Sequence, residues 1–220
     1  MSTHLKKRII TSIYLMSLLA LMYFYSFIMI ISLIIISLIV WIEFYGLISK
    51  IYSENTPHER YLRFFYKLIS LLYLLSLVYF LFLIEANYND LRIYVIYSIL
   101  VSVLSDIGGL VFGKVFKGRK LTKISPNKTI SGSIGSFLFS LILIIIFDNN
   151  LFNSGYLSLI FITLIISLIS QMGDLFISYL KRKANVKDTS DLLPGHGGFL
   201  DRVDGIIFAV PAGILLLSYF

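Results

Sequence analysis

Long apolar stretches separated by short polar segments dominate the chain. The apolar runs cover residues 9–48, 68–84, 91–112, 133–147, 156–180 and 205–220. A helix needs about 20 apolar residues to cross a bilayer, so each run meets or approaches that length. The first run is long enough for two helices, and we divide it near Tyr23 to Ser26, where aromatic residues flank a turn. The pattern predicts an all-α polytopic membrane protein with about seven transmembrane helices; because residues 133–147 are few, counts from five to nine stay open.

The positions of lysine and arginine predict the orientation of these helices. If the basic residues 6–8 lie in the cytoplasm, alternation of seven spans also places the basic residues within 50–67, 114–128 and 181–202 there. Of the 19 lysine and arginine residues, only Arg92 then falls on the opposite side. We therefore expect a multi-pass protein of the bacterial inner (cytoplasmic) membrane, with its N-terminus and its basic loops in the cytoplasm. An organellar membrane stays open as an alternative.

Composition excludes several classes of protein. Apolar residues make up 58% of the chain, charged residues 14%, and the mean hydropathy is +0.88, which is outside the range of soluble globular domains. The chain has no cysteine, so only oxygen and imidazole groups can bind a metal, and a hard ion such as Mg²⁺ is expected. The net charge of +7 follows from the cytoplasmic bias of basic residues, so we do not expect a nucleic-acid partner. The apolar N-terminal run is too long for a secretory signal and is read as a retained anchor.

Two predicted helices have polar stripes within an apolar surface. At about 100° per residue, one stripe consists of Ser98, Ser102, Asp106, Gly109 and Gly113, and the other of Thr163, Ser167, Gln171, Asp174, Ser178 and Arg182. The small residues favour close packing of helices. The two aspartates favour function, because an ionised carboxylate facing lipid costs about 2.5 kcal/mol or more. Glu43 and Glu85 lie near predicted span ends, where headgroups are within reach, and we assign them no role.

The loop of residues 113–132, called the basic loop below, is rich in lysine and arginine. Lys117, Arg119 and Lys120 are explained by helix orientation alone. Ser125, Pro126, Lys128 and Thr129 instead precede a helix, where backbone amides and a fixed ammonium group can bind a polyphosphate. No Walker-type phosphate loop is present.

The most polar part of the chain is residues 181–204, the signature segment, which lies between two apolar runs. Gly197 and Gly198 allow unusual backbone angles and the close approach of a ligand. Asp201 and Asp204 project from one side if the final helix begins there, and with Asp174 they could hold one or two magnesium ions. Each residue has a simpler explanation: His196 could bond a loop carbonyl, and the aspartates could serve a helix N-terminus. The combination within so few residues is what favours a site.

These residues resemble the signature of the phosphatidate cytidylyltransferases, the CDP-diacylglycerol synthases. The matching positions are Ser178, Lys181, Arg182, Lys187, Asp188, Pro194, His196, Gly197, Gly198, Asp201, Arg202 and Asp204. A second set is similar to other family motifs: Gln171 to Asp174, Asp106, Gly113, Ser125, Pro126, Lys128, Thr129 and Gly132. Ile130 and Ser131 depart from the family pattern, which commonly has Trp and an acidic or amide residue there. The resemblance covers roughly the second half of the chain.

The resemblance implies transfer of a cytidylyl group from CTP to phosphatidate at the membrane, giving CDP-diacylglycerol and pyrophosphate. Residues 1–90 are then N-terminal spans, about three of them, and residues 91–220 are the catalytic region. Expected metal ligands for Mg²⁺ are Asp174, Asp201 and Asp204; a monovalent ion and a homodimer stay open. The expected catalytic residues are Asp174, Lys181, Arg182, Asp201, Arg202 and Asp204, and those expected to bind substrate are Asp106, Ser125, Lys128, Ser178, Lys187, Asp188, His196, Gly197 and Gly198.

Two other functions stay open at this point. A CTP-dependent polyprenol or lipid kinase would use the same donor but leave phosphate, not nucleotide, on the lipid. A transporter would use the intramembrane aspartates along a pathway, although the charged residues concentrate at one predicted membrane face. A phosphatidyltransferase is disfavoured because its D-x-x-D-G-x-x-A-R array is absent from the sequence.

Overall fold

The computed structural model describes ten parts of the chain: residues 10, 13–14, 17–18, 20–22, 24–52, 55–87, 91–122, 124–147, 155–193 and 197–219. Within these parts the secondary structure is helical, and only isolated β-bridges occur. The helices are α1 (Ser26–Ile51), α2 (Pro57–Asn87), α3 (Arg92–Val115), α4 (Ile130–Ile146), α5 (Tyr156–Lys183), α6 (Leu200–Val203) and α7 (Ile206–Tyr219).

The long N-terminal apolar run is divided where the sequence predicts it. Tyr25 has an extended backbone, with φ −127° and ψ 104°, and α1 begins at the next residue, Ser26. Phe24, on the other side of Tyr25, is again helical. The predicted division near Tyr23 to Ser26 is therefore confirmed for the residues that the structure describes.

Four helices are long and apolar enough to cross a membrane: α1, α2, α3 and α5, with 26, 31, 24 and 28 residues. Helix α4 is apolar but has 17 residues, and α7 has 14 and contains Pro211. The all-α polytopic class is confirmed. The count of seven stays a prediction, because the first expected span falls mostly on residues outside the described parts.

Large apolar side chains remain exposed on the outer faces of the long helices. Examples are Leu38 (52% exposed) in α1, Leu72 (56%) in α2, Leu110 (62%) in α3 and Phe161 (65%) in α5. In water such surfaces would favour aggregation, whereas in a bilayer they contact lipid chains. The exposed faces are therefore those expected of membrane-spanning helices.

The chain divides into two compact units. The first comprises Met1–Asn87 and Leu180–Arg202, and the second comprises Tyr88–Tyr179 and Val203–Phe220. In the first unit α1 packs against α2, with a cavity of about 310 Å³ between aromatic and basic side chains. Trp41 and Lys67 line this cavity, and the Lys67 ammonium lies 3.3 Å from the centre of the Tyr45 ring.

In the second unit α3 packs against α4 and α7. The backbones of α3 and α4 touch: a Cβ atom added to Gly108 would lie 2.3 Å from the Gly135 carbonyl oxygen, and one added to Gly135 would lie 2.4 Å from Phe112. No larger residue fits at either position without separating the helices. Close contact of this kind strengthens dispersion interactions between helices in lipid.

Hydroxyl groups link α3 to α5, and each pair joins one residue of the predicted polar stripes (Ser102, Ser167 or Thr163) to a residue outside them. Ser102 and Ser170 share a hydrogen bond of 2.6 Å, Ser105 and Ser167 one of 3.0 Å. A third, of 2.6 Å, joins Tyr97 and Thr163. These side chains are fully buried, so the prediction that the serines serve helix packing is confirmed.

Candidate active site

The Asp201 carboxylate in α6 accepts several hydrogen bonds within the signature segment. Its Oδ1 accepts a hydrogen bond of 2.6 Å from the Lys181 ammonium. Its Oδ2 accepts from the amides of Thr189 (2.8 Å) and Gly198 (3.0 Å) and lies 3.0 Å from the Thr189 hydroxyl. The side chains of Lys181 and Asp201 are only 14% and 6% exposed. Asp201 thus fixes Lys181, a candidate catalytic residue, and joins Thr189 to Gly198 across the loop.

These contacts determine the protonation of Asp201. Burial by itself would raise the pKa of this carboxyl group, but hydrogen bonds from Lys181, Thr189 and Gly198, together with the charge of Lys181, lower the pKa below its ordinary value of 3.8. Asp201 is therefore ionised at neutral pH. An ionised carboxylate can orient a lysine or bind a metal cation.

The structure identifies Glu43 as a residue that the sequence interpretation missed. We assigned it no role on the expectation that it would reach the headgroups, but it is 5% exposed and lies against the signature segment. Its two oxygens accept hydrogen bonds from the Thr189 hydroxyl (2.8 Å), the Ser190 hydroxyl (2.6 Å) and the amides of Phe199 (3.0 Å) and Leu200 (2.8 Å). That expectation is wrong because four donors replace the solvation that headgroups would have supplied. The signal that could have found Glu43 is its isolation among apolar residues, Ile42 and Phe44 on either side.

The two glycines of the signature turn have different roles. Gly197 has φ +83°, a conformation that favours glycine. Gly198 needs its lack of a side chain, since an added Cβ atom would lie 2.0 Å from the Thr189 hydroxyl and 2.5 Å from a Glu43 oxygen. Pro194, Gly195 and His196 lie outside the described residues, so the expectation for His196 stays a prediction.

The basic loop folds back on itself before α4. Backbone hydrogen bonds join Leu121 to Lys128 (2.8 Å) and Ile130 to Arg119 (3.0 Å). The Ser125 amide donates to the Thr122 hydroxyl at 3.3 Å, and the Ser125 carbonyl accepts from the Lys128 amide at 3.1 Å. The loop therefore presents Lys128 from a defined turn.

The end of this loop includes Ile130 and Ser131, the two positions that depart from the family pattern. Thr129 caps α4 through a hydrogen bond of 3.0 Å that its hydroxyl accepts from the Gly132 amide. The Ser131 hydroxyl donates to the Lys117 carbonyl. Ser131, which departs from the family pattern, thus has a structural contact here, while Ile130 is exposed.

Asp174 in α5 meets the basic loop within the second unit. The Lys128 ammonium forms an ion pair with Asp174 Oδ2, and the Ser178 hydroxyl donates to Oδ1 at 3.3 Å. One α5 turn earlier, Gln171 Oε1 accepts a 2.6 Å hydrogen bond from Ser133 of α4. The structure therefore brings Asp174 together with two predicted binding residues, Lys128 and Ser178.

Asp204 lies beside the same part of α5. A Cβ atom added to Gly173 would lie 2.7 Å from the Asp204 carbonyl oxygen, so the two backbones touch next to Asp174. The Asp204 side chain accepts from the Gly205 amide at 2.9 Å and the residue is 7% exposed. The final long helix begins at Ile206, after the short helix α6. Asp201 and Asp204 are consequently not the first turn of that helix, which was the condition for the predicted shared face.

The other predicted site residues are exposed. They are Asp106, Arg182, Lys187, Asp188 and Arg202. Their predicted roles in substrate binding stay predictions.

Carboxylate oxygens are the ligands that Mg²⁺ prefers, and Asp174 and Asp204 carry such oxygens. The Lys128 ammonium occupies Asp174 Oδ2, so a cation that binds there has to displace it. Across the parts of the chain that the structure describes, no three His, Cys, Asp or Glu side chains form a ready-made metal cluster. The triad of Asp174, Asp201 and Asp204 therefore stays a prediction.

Comparison with known proteins identifies the family. The model of the cytidylyltransferase family matches residues 1–220. A phosphatidate cytidylyltransferase of Rickettsia prowazekii is 38% identical over 185 residues, which are 79% of this chain and 77% of that protein.

Two further relatives come from staphylococci. The phosphatidate cytidylyltransferase of Staphylococcus saprophyticus is 40% identical over 152 residues (66% of this chain, 57% of that protein), and that of Staphylococcus aureus strain COL is 43% identical over 142 residues (63% and 54%). The matches thus span a little over half the length of the staphylococcal proteins. From the family match over its full length, this chain belongs to the cytidylyltransferase family.

Proposed function

We propose that this chain transfers the cytidylyl group of CTP to phosphatidate, producing CDP-diacylglycerol and pyrophosphate. The observation that supports this most directly is the 38% identity, over 79% of the chain, to a protein named phosphatidate cytidylyltransferase. The apolar helices are long enough to cross a bilayer, which is where a phosphatidate substrate lies. We further propose the bacterial inner membrane as its location, with the N-terminus, the basic loop and the signature segment in the cytoplasm.

In this reaction a phosphate oxygen of phosphatidate attacks the α-phosphorus of CTP. A new P–O bond forms, the bond from the α-phosphorus to the bridging oxygen breaks, and pyrophosphate leaves with that oxygen. No covalent bond to the enzyme is required, so catalysis depends on positioning and on neutralising the charge of the phosphates. Bound Mg²⁺ would supply positive charge to the triphosphate.

The cations of the signature segment would neutralise the remaining negative charge of the phosphates. Lys181 has three N–H donors, and its contact to Asp201 uses one. The other donors would bind phosphate oxygens, while Arg182 and Arg202, both exposed, would meet the nucleotide as it enters. Because Asp201 fixes the ammonium group beforehand, less ordering is needed in the transition state.

The ion pair between Lys128 and Asp174 has a second part in the proposal. Both side chains are about a quarter exposed, 27% and 25%, so substrate can reach them. A phosphate would then pair with Lys128 in place of Asp174, and a metal ion would bind Asp174 in place of Lys128. Asp174 and Asp204 would hold the ion, with Asp201 the third predicted ligand. Ser125, Ser178 and the turn at Gly197 would position the substrates.

The test is an assay of the purified protein in detergent with phosphatidate, Mg²⁺ and CTP labelled at the α-phosphate. We expect labelled lipid from the parent protein and a loss of about 100-fold or more in Asp201→Asn, since removal of one preorganised electrostatic group costs about 10²–10³ in kcat. Asp191→Asn is the matched control, because Asp191 is an exposed aspartate of the same segment and should keep activity within about twofold.

Two results would contradict the proposal. Lipid labelled from γ-labelled CTP, but not from α-labelled CTP, would identify a kinase. No labelled lipid from either nucleotide, with a folded and monodisperse preparation, would exclude both enzymes.

A further inference from the structure

Glu43 makes contacts that no packing role requires. It lies on α1, far from the signature segment in sequence, yet both of its oxygens accept hydrogen bonds from that segment. The carboxylate is 5% exposed. Burying a carboxyl group is unfavourable unless hydrogen-bond partners surround it, so the burial of Glu43 depends on the segment having this one conformation.

The donors bind Glu43 from both ends of the turn. Thr189 and Ser190 come before the turn at Gly197, and Phe199 and Leu200 come after it. Gly198 leaves no space between them, since an added Cβ atom would lie 2.5 and 2.7 Å from the two Glu43 oxygens. Glu43 therefore joins the parts of the segment before and after Gly197. We call Glu43 and its four partners, Thr189, Ser190, Phe199 and Leu200, the clasp.

Thr189 connects this clasp to the reaction. Its hydroxyl lies 2.8 Å from Glu43 Oε2 and 3.0 Å from Asp201 Oδ2, and its amide donates to Asp201 at 2.8 Å. Asp201 in turn holds the Lys181 ammonium at 2.6 Å. A displacement of Glu43 would thus reach Lys181 through two intervening residues.

We propose that Glu43 is a positioning residue: it fixes residues 189–190 and 199–200 of the signature segment so that Asp201 presents Lys181 to the phosphates of CTP. This role rests on the proposed function, and it assigns to α1 a part in the active site that lies outside the sequence signature. Glu43 touches no substrate. It acts through Thr189 and the turn.

The main variant is Glu43→Gln, which keeps the shape but replaces one acceptor oxygen by an NH₂ group. That group would face a hydroxyl, which can turn to accept from it, and a backbone N–H, which can only donate, so the segment must move away on that side. We expect kcat/KM for CTP to fall about 10- to 100-fold, the range found for partners that orient active-site ligands. The KM for CTP should rise, and labelled CTP should bind more weakly at equilibrium.

A second readout follows the turn itself. Trypsin cuts after Lys183 and Lys187, which are exposed at the start of the segment. We expect faster cleavage there in Glu43→Gln. Glu85→Gln is the matched control: Glu85 is another glutamate on a long helix, it accepts a 2.5 Å hydrogen bond from Ser26, and its substitution should leave both readouts within about twofold of the parent.

A conservative pair covers the case in which Glu43→Gln does not fold. Thr189→Val removes the hydroxyl that joins the two carboxylates, whereas Thr189→Ser keeps it. We expect Thr189→Val to lower kcat/KM for CTP at least fivefold more than Thr189→Ser does.

The outcomes separate this inference from the proposed function. Parent-like kcat/KM and cleavage rates in Glu43→Gln, or equal kinetics for the two Thr189 variants, would overturn the role of Glu43. So would a loss of activity that matches the loss of folded protein, with the KM for CTP unchanged. A parent protein that makes no CDP-diacylglycerol overturns the proposed function instead, while trypsin cleavage, read without turnover, still decides whether Glu43 holds the turn.

Discussion

In the first unit buried charged groups hold a loop, whereas in the second unit buried hydroxyl groups join two helices. Glu43, Asp201 and Lys181 together fix the signature segment of the first unit. In the second unit, Ser102, Ser170 and their neighbours join α3 to α5 through neutral hydrogen bonds. Neutral hydroxyls that are hydrogen-bonded cost little to bury and add little, whereas charges cost much to bury and bind strongly only when every partner is present. The difference suggests that the charges serve chemistry and the hydroxyls serve assembly.

The sharpest test of this comparison is Lys181→Met. It leaves the Asp201 charge buried without its cation, which should lower stability by about 3–5 kcal/mol and abolish lipid labelling. The double variant Lys181→Met with Asp201→Asn should regain much of the stability, since neither charge of this pair remains, but none of the activity. Unfolding by denaturant or heat, beside the labelling assay, measures both. Recovery of activity in the double variant would show that the charges serve stability alone.

A smaller effect is expected at the contact of α3 with α4. In Gly135→Ala the new methyl group would meet Phe112 at 2.4 Å and the Gly108 carbonyl at 2.7 Å. Overpacking of this kind costs about 1–3 kcal/mol, and activity per folded molecule should change little. Gly46→Ala is the control, because a Cβ atom there has no neighbour within 4 Å; it should stabilise α1 by up to about 1 kcal/mol. Equal stability of the two variants would contradict a tight crossing.

The smallest effect is expected at the hydroxyl pairs. Ser102→Ala removes the 2.6 Å hydrogen bond to Ser170, and hydrogen bonds between membrane helices average about 0.6 kcal/mol. A double-mutant cycle with Ser170→Ala, followed by reversible unfolding, measures this coupling. A loss of lipid labelling greater than the change in stability would show that the serines do more than join helices.

The sequence predicts much of this arrangement because hydropathy and packing follow local rules. The helix start at Ser26 follows from the length a bilayer allows, and the packing role of the serines follows from their helical spacing. Residue types in the signature segment likewise indicate phosphate chemistry before any coordinates exist.

Partners distant in the chain could not be predicted in this way. Nothing in the spacing of Glu43 shows that Thr189 and Leu200 will bind it, since that depends on how α1 and the segment meet in space. The pairing of Lys128 with Asp174 could not be predicted from spacing either. The rule that intramembrane carboxylates default to function applies to Glu43 as well as to Asp174, and its position near a predicted helix end concealed this.

The cavity between α1 and α2 also has a practical consequence. Trp41 lines that cavity, donates a 3.3 Å hydrogen bond from its indole to the Lys67 carbonyl, and is the single tryptophan of the chain. It stands two residues before Glu43 on the same helix. The protein therefore has its own fluorophore at one known place on α1, and changes in the emission of the unlabelled enzyme report on this helix without an added dye.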